Sequence, residues 1–300
     1  MKNNIAVIGL GSMGYGIATS CLRSGHLVWG VDTNIDQVKA FCSQGGQATT
    51  LNSVIDKIDV VVVVVLNSVQ TEEVLFGQEG LVENLKPGTV VISCATVAPT
   101  FAIDMEKRCK EFEVFYLDAP ISGGALKAKN GQLSIMASGV KEAFQHARPT
   151  LDSISETVFE LGDEAGTGSA MKSVNQLLAG VHIAVMAEAL NFGISQGISP
   201  DKFVEVISKC AGTSWMLENR APHIVNGDYK PHSSINIWPK DLGIVLDVAL
   251  ESKFNAPIAT AALEQFRTAV DMGLGFEDDA AVAKVYAKSA NLSLPKKNDV

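Results

Sequence analysis

Positive charge and histidine are scarce in this chain of 300 residues. Lysine and arginine number 24 against 33 aspartates and glutamates, which gives a formal net charge of −9 at pH 7. This balance argues against nucleic acid or an anionic membrane surface as a partner. The five histidines have no metal-ligand spacing, so we expect no metal centre. An acidic chain that binds an anionic substrate needs local positive charge, which makes individual lysines candidate site residues.

Paired cysteines and long apolar runs are also missing. The five cysteines are widely spaced and include no Cys-x-x-Cys pair, which is typical of reduced, mostly buried thiols in a cytosolic protein. The longest strongly apolar run, residues 60–66, is far too short to span a bilayer. A strand-like run begins at Ile5, so we expect no signal or transit peptide and a cytoplasmic location.

What the first half does contain is an alternation of strand-like and helix-like patterns. Several apolar runs are continuous, as in strands that are buried on both faces of a parallel sheet. We therefore predict an α/β fold, with a Rossmann-type doubly wound parallel sheet followed by an all-α C-terminal domain. The predicted strands are 5–8, 27–31, 60–66, 89–93, 114–118, 133–137 and 157–161.

The pattern changes to helices alone after residue 161. A glycine-containing loop at 162–168 leads into a long predicted helix, 169–196, which is apolar almost all round over 177–190. Such a helix has to be covered by its own domain or by another protomer, so we expect a homodimer or homotetramer. Further helices are predicted at 201–210, 214–226, 240–252, 256–272 and 278–289, followed by a polar tail at 291–300.

A glycine-rich turn follows the first predicted strand: Gly9-Leu10-Gly11-Ser12-Met13-Gly14. Its glycines make the tight turn, let the backbone approach a pyrophosphate and let the helix pack on the strand, and the helix N-terminus favours phosphates. Asp32 ends the second strand, 18 residues beyond Gly14, where it can accept hydrogen bonds from an adenine-ribose diol and repel a 2′-phosphate. The pattern predicts NAD as the cofactor. It makes residues 1–162 an NAD-binding domain and 163–300 a domain for substrate and dimerisation.

Lys172 is the leading candidate for acid/base chemistry. It lies in the first turns of the long helix, with Asn175 and Gln176 on the same face. A lysine at the edge of a buried stretch loses hydration, which lowers its pKa and suits it to general acid/base catalysis near neutral pH. On spacing alone, a solvated lysine near a helix end is an equal alternative.

Two further segments follow predicted strands at the edge where ligands bind open α/β sheets. In the segment 118–124, the hydroxyl of Ser122 and the backbone of Gly123 and Gly124 offer a cradle for a carboxylate, although a simple turn has the same composition. Thr96 follows the strand 89–93, where it meets a ligand or caps the next helix.

The second half offers fewer candidates. Lys240 and Asp241 open a predicted helix, in which Asp241 is the cap or Lys240 reaches an anion across the cleft between the domains. Trp215, Trp238 and Arg220 are either core and surface residues or a wall that sets specificity.

Together these segments resemble the β-hydroxyacid dehydrogenase family over essentially the whole chain. The matching segments, in order, are Gly9–Gly14 with Asp32, Asp118-Ala119-Pro120-Ile121-Ser122-Gly123-Gly124, Gly166-Thr167-Gly168 through Lys172 and Asn175, and Lys240-Asp241-Leu242. The resemblance implies oxidation of a small-molecule hydroxy acid with NAD. It implies that Lys172 is the acid/base, that Asn175 helps to hold the substrate and that Ser122, Gly123 and Gly124 bind its carboxylate. The residues that it implies against the cofactor, besides the glycine turn, are Leu66, Asn67, Thr96 and Lys240.

Residues 212–229 are similar to the L-threonate dehydrogenase subgroup, which implies oxidation of L-threonate at C2 to 2-dehydro-L-erythronate. A tartronate semialdehyde reductase, a 3-hydroxyisobutyrate dehydrogenase and a non-catalytic NAD(H)-binding module are the alternatives. The chain departs from the family pattern at residues 93–99, where two hydroxyls of the usual Asp-x-Ser-Thr-x-Ser-Pro are missing, and in the first helix, where Ser20 lies near the place of the usual Asn.

Overall fold

The computed structural model describes residues 2–47 and 50–297. The chain divides into two compact units, Met1–Lys172 and Ser173–Val300. The domain boundaries predicted above, 1–162 and 163–300, remain a prediction.

The first unit contains a five-stranded parallel sheet. Its strands are β1 (Asn4–Ile8), β2 (Leu27–Val31), β3 (Val60–Val63), β4 (Val90–Ser93) and β5 (Phe115–Asp118). They lie in the order β2-β1-β3-β4-β5 and are all parallel. The chain leaves β1 toward β2 on one side and returns to β3 on the other, so the strand order reverses between β1 and β3. In open α/β sheets, ligands bind at this switch point, beyond the carboxyl ends of the strands.

Both faces of this sheet are buried, which explains the continuous apolar runs. Val60 and Val62 pack in one core cluster, whereas Val61 and Val63 pack in another. Successive side chains of a strand point to opposite faces, so a strand covered on both sides needs an apolar residue at every position. The helices of this unit are α1 (Ser12–Arg23), α2 (Ile35–Ser43), α3 (Ser68–Phe76), α4 (Pro99–Lys110), α5 (Gly124–Asn130) and α6 (Lys141–Ile154).

The predicted α/β fold is confirmed, with one correction to the sheet. Three further strands, β6 (Ile121–Ser122), β7 (Leu133–Ala137) and β8 (Ser155–Glu160), form a separate mixed sheet and do not extend the parallel one. β6 and β7 are antiparallel, and β7 and β8 are parallel. An isolated bridge between Asp118 and Ser138 connects the end of β5 with the end of β7.

The second unit is helical. The long helix α7 (Thr167–Ser195) begins in the first unit and continues into the second, which also contains α8 (Pro200–Ile207), α9 (Trp215–Val225), α10 (Ile237–Glu251), α11 (Pro257–Asp271) and α12 (Ala283–Ser289). Ile183, Met186 and Leu190 of α7 lie in the core of this unit. Of the predicted tail, Leu294 packs against the same core, and residues 298–300 lie outside the described residues.

Helix α7 is also the one described helix with the length and composition to cross a membrane, with a mean hydropathy of 1.6 in its most apolar window. The core helix of a soluble protein meets the same criterion, so this is weak evidence for a membrane span. The burial of one face of α7 in the second unit's core accounts for much of its apolar composition.

Candidate functional site

The turn after β1 requires glycine at two positions. Gly9 has a φ of +94°, and a Cβ there would lie 2.3 Å from the carbonyl oxygen of Val64. A Cβ on Gly14 would lie 1.8 Å from the carbonyl oxygen of Gly9. At Gly11, by contrast, no described atom beyond its two chain neighbours lies within 4 Å of the Cβ position. The turn is therefore closed toward the sheet and open outward at Gly11, as a backbone that receives a pyrophosphate has to be.

Asp32, at the carboxyl end of β2, holds this turn in place. Its Oδ2 accepts the N–H of Leu10 at 2.6 Å, and its Oδ1 accepts the N–H of Asn34 at 2.7 Å. Each carboxylate oxygen has a second lone pair, so Asp32 can still accept ribose hydroxyls. A cavity of about 350 Å³ opens here, and its lining includes Leu10, Gly11, Ser12 and Asp32. Tyr15, Asn34 and Gln37 also line it; sequence analysis missed them because no motif marks them.

The segments after β3 and β4 lie at the same edge, because both strands are parallel to β1. The strand β3 ends at Val63, three residues before the predicted end, since the chain turns there into α3. Asn67 caps that helix by accepting the N–H of Gln70 at 2.9 Å, and Leu66 is 66% exposed. Thr96 is not a cap, because α4 begins at Pro99 after Ala98.

Lys172 is buried, which rules out the solvated alternative. It is 7% exposed, and its Nζ donates a hydrogen bond of 2.8 Å to the carbonyl oxygen of Ile121. Ile121 precedes Ser122 in β6, so the ammonium group lies beside the segment that was predicted to bind a carboxylate. The two segments are 51 residues apart in the sequence.

The predicted carboxylate cradle is the junction of a strand and a helix. Ser122 ends β6, and α5 begins at Gly124 with Gly123 as its N-cap residue. Gly123 has a φ of +134° and Gly124 a φ of +76°, conformations that residues with a Cβ rarely adopt. No side chain among the described residues caps α5, so the N–H groups of its first turn are available for other acceptors.

In the second unit, a chain of polar contacts runs from Asn175 to Lys240. Asn175 Nδ2 donates to Gln176 Oε1 at 2.9 Å, and Gln176 Nε2 donates to Asp241 Oδ2 at 2.5 Å. Lys240 Nζ lies 2.5 Å from Asp241 Oδ1. Asp241 is therefore not a helix cap, and the predicted start of α10 was three residues too late, since the helix begins at Ile237. The cap was predicted from the residue type of Asp241 alone, which gives no information about its buried partner Gln176.

The aromatic residues and the arginine of the second unit separate into core and surface. Arg220 pairs with the buried Asp279, with Nε 2.5 Å from Oδ1, and Trp238 Nε1 donates to Asp279 Oδ2 at 3.1 Å. Burial raises the pKa of Asp279, and the positive charge of Arg220 only partly offsets this rise. Trp238 and Arg220 thus belong to the core of this unit, whereas Trp215 is 61% exposed.

The three buried cysteines contribute no reactive group to these sites. Cys21, Cys94 and Cys109 are buried, as predicted for most of the thiols, and burial raises the pKa of each to about 12. Within residues 2–47 and 50–297, no group of three or more His, Cys, Asp or Glu side chains is arranged to hold a metal ion.

Comparison with known proteins connects both units to one group of enzymes. Residues 4–162 match the family model described as the NAD-binding domain of 6-phosphogluconate dehydrogenase, and residues 166–286 match the one described as NAD-binding of NADP-dependent 3-hydroxyisobutyrate dehydrogenase. L-threonate dehydrogenase of Cupriavidus necator is 46% identical over 95% of this chain and 97% of its own. L-threonate dehydrogenase of Escherichia coli K12 is 42% identical over 95% of both chains. The crystal structure of 3-hydroxyisobutyrate dehydrogenase from Salmonella typhimurium has a TM-score of 0.89 and 40% identity, covering 95% of this chain and 100% of that one.

Proposed function

The chain belongs to the β-hydroxyacid dehydrogenase family, and we propose from this premise that this NAD-dependent dehydrogenase oxidises L-threonate at C2 to 2-dehydro-L-erythronate. The observation that supports L-threonate as the substrate is the similarity to L-threonate dehydrogenases, at 46% and 42% identity over 95% of this chain. Similarity of this extent includes residues 212–229, the segment that resembles the L-threonate subgroup.

Lys172 is proposed as the general acid/base. In the direction of oxidation, the neutral amine of Lys172 takes the proton of the substrate's C2 hydroxyl, and in reduction its ammonium form returns it. The burial of Lys172 and its contact with Ile121 support this role, because they hold Nζ at one place beside Ser122. NAD, when bound, supplies the hydride acceptor.

Most of the residues proposed to hold NAD belong to the turn after β1 and the end of β2. The main group is Gly9, Leu10, Gly11, Ser12, Met13 and Gly14 with Asp32. The outward opening at Gly11 and the two remaining lone pairs of Asp32 fit a pyrophosphate and a ribose. Leu66, Asn67, Thr96 and Lys240 are proposed to contact the remainder of the cofactor.

Substrate binding is proposed for Ser122, Gly123 and Gly124, which would receive the carboxylate of L-threonate. The left-handed backbone at the two glycines and the open first turn of α5 support this assignment. Asn175 would orient the substrate hydroxyl.

We also propose that the chain is a cytoplasmic homodimer or homotetramer. Leu178, Val185 and Phe192 of α7 are each at least half exposed and recur every seven residues, so they form one apolar stripe. A second copy of the chain would cover this stripe. Light scattering at micromolar concentration should give the mass of two or four chains, and a monomer mass would contradict the proposal.

The substrate is tested by NADH formation with NAD and a panel of acids: L-threonate, D-erythronate, D-glycerate and 3-hydroxyisobutyrate. We expect the highest kcat/KM with L-threonate. The structural likeness to 3-hydroxyisobutyrate dehydrogenase makes 3-hydroxyisobutyrate the second candidate substrate. A preference for it would overturn the proposal of L-threonate as the substrate but would leave the proposed role of Lys172 intact. Turnover of none of the acids, with NADH still bound, would favour a non-catalytic module.

A further inference from the structure

The carboxylate of Asp118 anchors the beginning of α7. Asp118 is the last residue of β5 and is 1% exposed. Its Oδ2 accepts the N–H of Gly166 at 3.0 Å and the N–H of Ser169 at 2.7 Å. Its Oδ1 accepts the hydroxyl of Ser169 at 2.6 Å. A carboxylate in this position also interacts favourably with the positive end of the helix dipole.

Ser138 and Gly168 complete the attachment. The N–H of Gly168 donates to Ser138 Oγ at 3.0 Å, and the backbones of Asp118 and Ser138 exchange two hydrogen bonds, at 3.0 and 2.9 Å. A Cβ on Gly168 would lie 2.5 Å from the carbonyl oxygens of both Asp118 and Met136. The first turn of α7 therefore lies directly on the ends of β5 and β7, with no room for a side chain at Gly168.

This attachment fixes the position of Lys172. Lys172 comes three residues after Ser169, about one turn further along a helix of about 3.6 residues per turn. A shift or rotation of the first turn would therefore move Lys172 by a similar amount. At its other end, the side chain reaches Ile121 through the hydrogen bond from Nζ. The start of the helix and the tip of the lysine are thus both held by the segment 118–122.

We propose that Asp118 is a positioning residue for the reaction, which holds the first turn of α7 so that the amine of Lys172 stays beside Ser122. The inference rests on the acid/base role proposed for Lys172. Asp118 acts through the helix, so its removal should lower the rate of proton transfer and leave cofactor binding unchanged.

Asp118→Asn is the first test. The amide keeps the shape of the carboxylate but loses its negative charge at the start of α7. It has only one acceptor oxygen, so it cannot accept both the two backbone N–H groups and the Ser169 hydroxyl as the carboxylate does. Since a displacement of about 1 Å at a reacting group costs about 10²-fold in rate, we expect kcat to fall about 10²-fold. The KM for NAD should stay within about twofold, because the contacts of Asp118 do not include the glycine turn.

Glu106→Gln is the matched control. Glu106 Oε2 accepts the N–H of Ala165 at 3.1 Å, so it makes the same kind of bond one residue before Gly166, outside the helix. Its replacement should leave kcat unchanged. Ser169→Ala keeps the two backbone bonds of Asp118 and removes only the hydroxyl, so it should fold and lower kcat by a smaller factor. This variant keeps the proposal testable even if Asp118→Asn does not fold.

A double substitution separates positioning from other roles. If Asp118 acts through Lys172, then Asp118→Asn should have no further effect on kcat in the Lys172→Ala background. Effects that multiply in the double variant would overturn the proposal, as would full kcat in the folded Asp118→Asn or Ser169→Ala variants. Full kcat in Lys172→Ala alone would instead overturn the proposed role of Lys172, so the two failures are distinguishable.

Discussion

Lys172→Ala should lower kcat for L-threonate oxidation by about 10²- to 10⁴-fold, the usual contribution of a general acid/base. The affinity for NADH should not change, because Lys172 donates a hydrogen bond to Ile121, next to the segment proposed to bind the substrate, and is proposed to act on the substrate rather than on the cofactor. Steady-state kinetics and a fluorescence titration with NADH measure the two quantities separately.

The control for this variant is Lys129→Ala, which removes an exposed lysine from the last turn of α5. It should turn over at the wild-type rate, so a loss there would indicate a general effect of charge. If Lys172→Ala lost NADH binding together with activity, the lysine would be holding the nucleotide site or the fold, contrary to the acid/base role.

Asp32→Ala should reverse much of the preference for NAD. The substitution removes the acceptor for the Leu10 N–H as well as the carboxylate proposed to bind the ribose. Lost hydrogen bonds to a charged group are worth about 1.5–3 kcal/mol, so the KM for NAD should rise by about 10- to 100-fold. The KM for NADP should fall, because a 2′-phosphate would no longer meet a negative charge. Kinetics with both cofactors measure the ratio.

Asp36→Asn is the matched variant for this experiment. Asp36 is an exposed carboxylate in the first turn of α2, paired at 3.7 Å with Lys39, and its removal changes the net charge by the same amount. Its cofactor preference should equal that of the wild type. An unchanged ratio of kcat/KM values in Asp32→Ala would contradict the role of Asp32.

Much of the fold could be predicted because the buried parts of the sheet have a recognisable apolar sequence pattern. The five strands of the parallel sheet are covered on both faces, so their apolar runs stand out, and the first and second strands match the predicted ranges within one residue. The glycine turn was equally readable. The spacing of its glycines is a local pattern, and Gly14 is required by the nearby backbone of Gly9, although Gly9 is required by the carbonyl oxygen of Val64, just after β3.

The second sheet could not be predicted for physical reasons. β6 has only two residues, Ile121 and Ser122, too few to show a period. β8 alternates little and is largely exposed, so nothing local indicates that it pairs with β7 in a separate sheet. The start of α10 was also misplaced, because Asn236 makes no side-chain cap there.

The residues of the candidate site could be identified from the sequence, but their hydrogen-bond partners could not. Lys172 and Ser122 were recognisable from their segments, yet the bond from Lys172 to Ile121 joins positions 51 residues apart. The same holds for Gln176 and Asp241, which are 65 residues apart. Only the tertiary fold brings such pairs together, which is why a cap was predicted for Asp241 and a bond to Gln176 was found.

The most direct test of the proposed reaction uses L-threonate that carries deuterium at C2. Oxidation at C2 with direct transfer to NAD predicts that the NADH formed contains one deuterium, which mass spectrometry detects, and that the acid product has lost it. NADH without deuterium, from substrate that is turned over, would place the oxidation at another carbon and contradict the proposal.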